Sequence, residues 1–292
     1  PSSSKRAYAA DRIAESVACN RGRPRKVFRG IAGAFHEKIK LQLEITKRYV
    51  SLMKMKPSIK KKVVVVGGSS GVGLATSRIL DERGFAVTAV ARNPGKLKGA
   101  IAGTAIQGIT MDAQSHHAVR DFFSVFGPLD HLVITLSGAK GAGTLQEVSA
   151  ETLREGFEAK VFAHWRIAQA AAPNLSPDGS ITFVSSISAR NSTPGTAGLA
   201  AINGAIESMI KPLARELKPR RVNAVSPGVV ETPWWDALPA AQRDALLRST
   251  AQASAVGRNG RAEEIAEAIA FLITNQFVTG TVIEIDGGLR LG

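Results

Sequence analysis

The sequence predicts a doubly wound parallel α/β sheet, and three observations predict it. Val63-Val64-Val65-Val66 is an unbroken β-branched run, the composition of a strand buried on both faces. Gly67-Gly68-Ser69-Ser70-Gly71-Val72-Gly73 follows at once and leads into a helical stretch, Leu74 to Arg83. Strand-like and helical segments then alternate to the end of the chain, with no internal repeat and no second core.

Strand, glycine loop and helix in that order aim free backbone N–H groups and a helix N-terminus at a phosphate. The loop needs glycines because a Cβ would hold a phosphate away from the backbone. Further strands are expected at Phe85–Ala91, Ile106–Met111, His131–Leu136, Ser180–Ser185, Val222–Val225 and Val282–Ile285. Residues 58–292 therefore form one domain.

Composition narrows the function classes. No apolar run approaches the ~18 residues a membrane span requires. The one cysteine, Cys19, excludes an internal disulfide and a cysteine-built zinc site, and no metal site is expected. The formal charge of +14 is unevenly placed. Residues 1–62 hold 17 basic and 4 acidic side chains, whereas residues 63–292 hold 21 and 20.

That basic segment reads as an extension spanning residues 1–57. Residues 1–30 are rich in Arg, Ser and Ala, with Arg21, Arg23, Arg25, Lys26 and Arg29 clustered, as in organelle-targeting segments. A mitochondrial rather than plastid location is expected, and a chain starting at Pro1 fits a processed precursor. A helix is expected over about residues 30–55, with Phe35, Ile39, Gln42/Leu43, Thr46, Tyr49/Val50 and Met53 along one mostly apolar face and Pro57 closing it. The arm calls for an acidic partner: a protein assembly, nucleic acid or an anionic membrane surface.

Three further motifs carry a resemblance. Arg221-Val222-Asn223-Ala224-Val225-Ser226-Pro227-Gly228 precedes Thr232, Gly280-Thr281 precedes Asp286-Gly287-Gly288, and Asp112-Ala113 follows the third strand. With the GxxxGxG loop, these make residues 60–290 resemble the short-chain dehydrogenases/reductases. The resemblance implies a dinucleotide held by Gly67, Ser69, Ser70, Gly71, Val72, Gly73, Asp112, Ala113, Pro227, Gly228 and Thr232. It also implies homo-oligomers. NAD-binding relatives carry an acid at the end of the second strand, where this chain has Ala91 and then Arg92. A guanidinium there grips a 2′-phosphate, which points to NADP(H).

The resemblance implies a catalytic Ser, Tyr and Lys, and here the sequence departs. Ser186 occupies the serine position, Leu199 the tyrosine position and Asn203 the lysine position. The two tyrosines, Tyr8 and Tyr49, both lie in the extension, so the standard mechanism is closed. The asparagine expected after the fourth strand is also missing from Ile134-Thr135-Leu136-Ser137. Lys160 replaces the asparagine of the following helix, either as a relocated acid or as a paired structural lysine. His116-His117 is expected at the surface and His164 in packing. Trp234-Trp235 either floors an apolar pocket or packs a loop. Two functions follow: an NADP(H)-dependent oxidoreductase with a rebuilt site, or a non-catalytic subunit of a respiratory-type complex or ribonucleoprotein anchored by its arm.

Overall fold

The computed structural model describes residues 36–47 and 60–291, in two units, Pro1–Ile59 and Lys60–Gly292. In the first unit, residues 36–47 are helical and exposed throughout. At 100° per residue, Ile39 and Leu43 share one side and Leu41 and Ile45 the opposite one, so this helix carries two narrow apolar stripes, not one face. The arginine cluster and the rest of the expected helix lie outside the described residues.

The second unit begins with β1 (Lys62–Val66), α1 (Gly71–Glu82), β2 (Ala86–Ala91), α2 (Pro94–Ala100), β3 (Gln107–Thr110), α3 (His116–Phe126) and β4 (Leu129–Ile134). A continuous helical run follows, made of α4 (Ala150–Gly156), a π-helical segment (Phe157–Phe162) and α5 (Ala163–Ala171). Next come β5 (Leu175–Val184), α6 (Ala197–Glu216), β6 (Arg221–Pro227), α7 (Ala240–Ala253), α8 (Ala262–Thr274) and β7 (Val282–Ile285). The seven strands run parallel in the order β3-β2-β1-β4-β5-β6-β7. The order reverses between β1 and β4, which opens a crevice at the carboxyl ends of those strands.

The valine run explains itself in this sheet. Val64 and Val66 pack on one face with Phe123, Ile167, Ile206 and Ile210, whereas Val63 and Val65 pack on the other with Leu80, Ile265 and Ile269. Side chains alternate across a strand, so a strand covered by helices on both faces must be apolar at every position. The last strand matches expectation at both ends, the others differ by one or two residues, and β5 starts five residues earlier. β4 ends at Ile134, after which the Thr135 amide makes the last bond of the ladder, to the Val66 carbonyl (2.9 Å). β5 begins at Leu175 because a register shift lets Leu129 pair with Leu175 before His131 pairs with Ser180.

Two buried polar groups fasten the layers. Arg221 donates to the carbonyls of Leu272 (2.6 Å) and Ile273 (2.9 Å), satisfying the C-terminal end of α8. His131, 2% exposed, bonds Ser180 Oγ through Nδ1 (2.9 Å) and meets Phe85 edge-on. Burial, helped by the charge of Lys61, pushes His131 down to about 4. The histidine is neutral in the fold and charged in the unfolded chain below pH ~6.5, so stability present above that pH is lost as pH falls toward 4. The loss from this group should reach ~3 kcal/mol. Urea midpoints measured between pH 7 and 4 should show a shallower decline for His131→Leu than for the native chain.

Candidate functional site

The crevice is built at the end of β1. Gly67 N–H donates to the Val90 carbonyl (2.8 Å), with Gly68 N–H doing the same (3.1 Å), so the chain leaves the strand without a gap. Gly67 has φ 95°, in the left-handed region. A Cβ on Gly73 would sit 2.2 Å from the Gly67 carbonyl oxygen and 2.6 Å from Thr135 Oγ1, so α1 lies tight against its own loop. Thr135 Oγ1 donates to the Val66 carbonyl (2.9 Å). Within the segment Ile134-Thr135-Leu136-Ser137, which lacks the expected asparagine, a hydroxyl thus ties β4 to β1.

α1 starts at Gly71 behind Ser70, whose side chain makes no capping hydrogen bond, and its first turn holds no acid. The first-turn N–H groups are therefore free for an anion. Val72 packs against the core, and Thr232 faces Gly71 across the loop. Ser69, Ser70, Gly71 and Thr232 border a cavity of about 590 Å³ whose charged walls are Arg78, Lys96 and Arg261 with Glu231 and Glu263. Neither Lys160 nor Ser186 lines it, so this cavity belongs to the phosphate end.

Ala91 is buried at the end of β2, and Arg92 beside it is exposed, with no ion pair among the described residues. Asp112 Oδ1 accepts from Gln114 N–H (3.0 Å), which turns the chain after β3 and buries Ala113. Gly228 follows Pro227 at the end of β6, and its N–H donates to the Ile285 carbonyl (3.0 Å). These residues fit a dinucleotide: N–H groups for a pyrophosphate, and cations without a competing acid where β2 ends.

The second half of the site centres on Lys160, which lies in the π-helical segment and is 7% exposed. Its Nζ donates to Asn203 Oδ1 (2.7 Å) and to the Ser185 carbonyl (3.3 Å). Asn203 is itself fixed, with Nδ2 donating to Ser188 Oγ (3.0 Å) and the Leu199 carbonyl (2.9 Å). Burial pushes the Lys160 ammonium down to about 8, and the Glu207 carboxylate opposes that shift. Glu207 is joined to the site by Ser185 Oγ (2.7 Å) and held from outside by Arg190 Nε (2.8 Å). Ser186 Oγ accepts from Ser188 N–H (3.3 Å), which leaves its own proton free to donate.

A family profile described as enoyl-(acyl carrier protein) reductase matches residues 66–290. The chain belongs to the short-chain dehydrogenase/reductase family. A short-chain dehydrogenase/reductase of an Acremonium species is 30% identical over 78% of this chain and 95% of its own length. The 3-oxoacyl-[acyl-carrier-protein] reductase of Thermotoga maritima is 30% identical over 78% of this chain and 97% of its own. Among solved structures, a small-chain dehydrogenase in complex with NADPH superposes with a TM-score of 0.71 at 33% identity, covering 80% of this chain and all of the other.

In this family member, the remaining predicted residues sort by burial. His164 is fully buried, donates from Nδ1 to the Lys160 carbonyl (2.7 Å) and stacks on Phe183; burial and the Lys160 charge push it down to about 3. Trp235 is anchored by Nε1 to the Val230 carbonyl (2.8 Å), while Trp234 meets it edge-on and stays 39% exposed. Sequence reasoning missed Lys96, Ser185 and Glu207 and gave Thr135 no role; none of the four carries a motif of its own. The packing at the loop yields a direct expectation. Gly73→Ala should cost ~1–3 kcal/mol through overpacking against the Gly67 carbonyl, read as a lower urea midpoint at unchanged slope.

Proposed function

We propose that the chain is an NADPH-dependent reductase of a carbonyl substrate in which the Lys160 ammonium takes the place of the missing phenol. The observation that carries this reading is the Lys160–Asn203 contact of 2.7 Å. The family resemblance puts an asparagine at position 160 and a lysine at position 203; here the two residue types are exchanged and bonded to each other. Loss of function alone gives no reason to bury an ammonium, which costs desolvation energy.

The cofactor reading rests on Arg92 and Lys96, on the absence of an acid at Ala91, and on the relative solved with NADPH. When bound, the nicotinamide supplies hydride to the carbonyl carbon. Lys160 gives a proton to the oxygen as negative charge gathers there, so C=O becomes CH–OH and a neutral amine remains against Asn203 Oδ1. A solvent proton restores the ammonium. A lysine near pKa 8 suits this task better than one at its ordinary value, because it stays protonated at neutral pH yet releases its proton more readily. The Ser186 hydroxyl orients the carbonyl.

Lys160→Met should lower carbonyl reduction by ~10²–10⁴-fold while leaving NADPH affinity intact. The native rate should fall as pH rises through about 8, where the protonated lysine is lost, and the residual rate of the variant should lack that limb. Unchanged turnover in Lys160→Met would exclude the assignment. Arg92→Asp combined with Lys96→Glu should weaken NADPH binding by about tenfold or more with little change for NADH, measured by fluorescence titration.

A second reading, a non-catalytic subunit of a mitochondrial assembly held by residues 1–57, is favoured by one observation. Both tyrosines, Tyr8 and Tyr49, lie outside residues 60–291. It requires co-sedimentation with a large particle that is lost on deletion of residues 1–57, and no turnover of NADPH by the native chain. Sensitivity of that particle to RNase identifies a ribonucleoprotein, and sensitivity to detergent a membrane complex.

A further inference from the structure

Proton transfer from Lys160 makes no use of His164, a titratable side chain enclosed in the core. Fully buried at the start of α5, it donates from Nδ1 to the Lys160 carbonyl (2.7 Å) and stacks on Phe183 with ring centroids 6.0 Å apart. We infer that His164 is a positioning residue: its hydrogen bond fixes where the π-helical segment lies and so holds the Lys160 side chain inward. For turnover, this rests on the reading of Lys160 as the proton donor.

The two ends of the helical run show why the segment needs fixing. α4 is held at Gly156, where a Cβ would sit 2.6 Å from Ile202 Cδ1 and 2.9 Å from the Lys140 carbonyl oxygen. α5 is held by Ile167, Ala168 and Ala171, all buried. A π turn carries one residue more than an α turn. With both ends held, that residue must be taken up between them, but neither end decides where. Moving it past position 160 turns Lys160 by about 100° around the axis, away from Asn203 and Ser185.

The His164 bond makes the choice. The Lys160 carbonyl accepts from the Ala163 N–H and also from this imidazole, four residues on. Side-chain bonds of that span bend the helical ladder. Packing alone would not select a histidine. A carbonyl only accepts, so Nδ1 carries the proton of the neutral ring, and Nε2 is left buried with no partner. A phenyl ring would fill the same place on Phe183 without stranding a polar atom. Burial and the Lys160 charge hold His164 down at about 3, so the ring stays neutral while Lys160 titrates. The other groups facing the ammonium are Asn203 and Glu207 on α6 and the Ser185 carbonyl after β5, with Arg190 behind Glu207. Each is retained when His164 is substituted.

The test is NMR of the full chain carrying lysine labelled with carbon-13 at Cε, titrated with pH. The Lys160 signal is the one missing from Lys160→Met, and in the native chain it should titrate at about 8. His164→Phe keeps the stacked ring and loses the donor; His164→Asn loses the ring and keeps an N–H at the place of Nδ1. His164→Phe should move the midpoint up by ~1 pH unit or more, toward the ordinary lysine value, and lower kcat for carbonyl reduction. His164→Asn should leave the midpoint at about 8. A side chain that serves packing alone gives the reverse order, with the asparagine variant the more disturbed. That order, a midpoint unmoved in His164→Phe, or a native midpoint already at the ordinary lysine value would overturn the inference. If His164→Phe does not fold, His164→Asn decides alone, since a midpoint raised to the ordinary value there refutes the role of the bond. The readout needs no turnover. A native chain whose Lys160 titrates at about 8 yet reduces no carbonyl therefore refutes the proton-donor reading and leaves the His164 inference standing.

Discussion

The architecture depends on one close approach, where β1 ends and α1 begins against the end of β4. The Gly67 carbonyl, the Cα of Gly73 and the Thr135 hydroxyl meet there with no room for a side chain at either glycine. That contact holds α1 near the sheet and aims its first N–H groups into the crevice where the strand order reverses. Thr135 lies in the segment Ile134-Thr135-Leu136-Ser137, where the family resemblance calls for an asparagine and this chain has a threonine hydroxyl. One hydroxyl donating to the Val66 carbonyl ties the two strands at the level where their ladder ends.

Across the crevice, burial rather than a charged partner governs Lys160. Its nearest polar contacts, an amide oxygen and a backbone carbonyl, accept hydrogen bonds without carrying full charge. A carboxylate in the place of Asn203 would hold the proton on and raise the pKa. The one acid near enough to matter, Glu207, is shared with Ser185 and Arg190, which blunts its pull. The π-helical segment places this lysine inward, in a stretch where the regular helical ladder is interrupted.

The same network extends outward from the site. Arg190 bridges Glu207 on α6 to Glu284 on β7, and Arg290 joins Glu284 to Asp286. These pairs bind the carboxyl ends of β5 and β7 to the helix that carries Asn203. The nearly neutral charge of residues 63–292 is thus organised into pairs, whereas the surplus lies in residues 1–62.

Much of this was legible in the chain alone. An apolar strand, a glycine loop and a helix in sequence are local patterns, and their physical meaning does not depend on distant residues. The same is true of the missing tyrosine, since a composition of two tyrosines, both in the extension, holds whatever the fold. What lay beyond reach were meetings between residues far apart in sequence. That Lys160 bonds Asn203 across 43 positions and that Thr135 fills the space two glycines vacate depend on how helices pack on the sheet. A lysine's spacing states its helix face but not its depth, and depth sets its pKa. Local pattern determined the elements and the phosphate loop; packing alone decided which polar groups were stripped of water and left to one another.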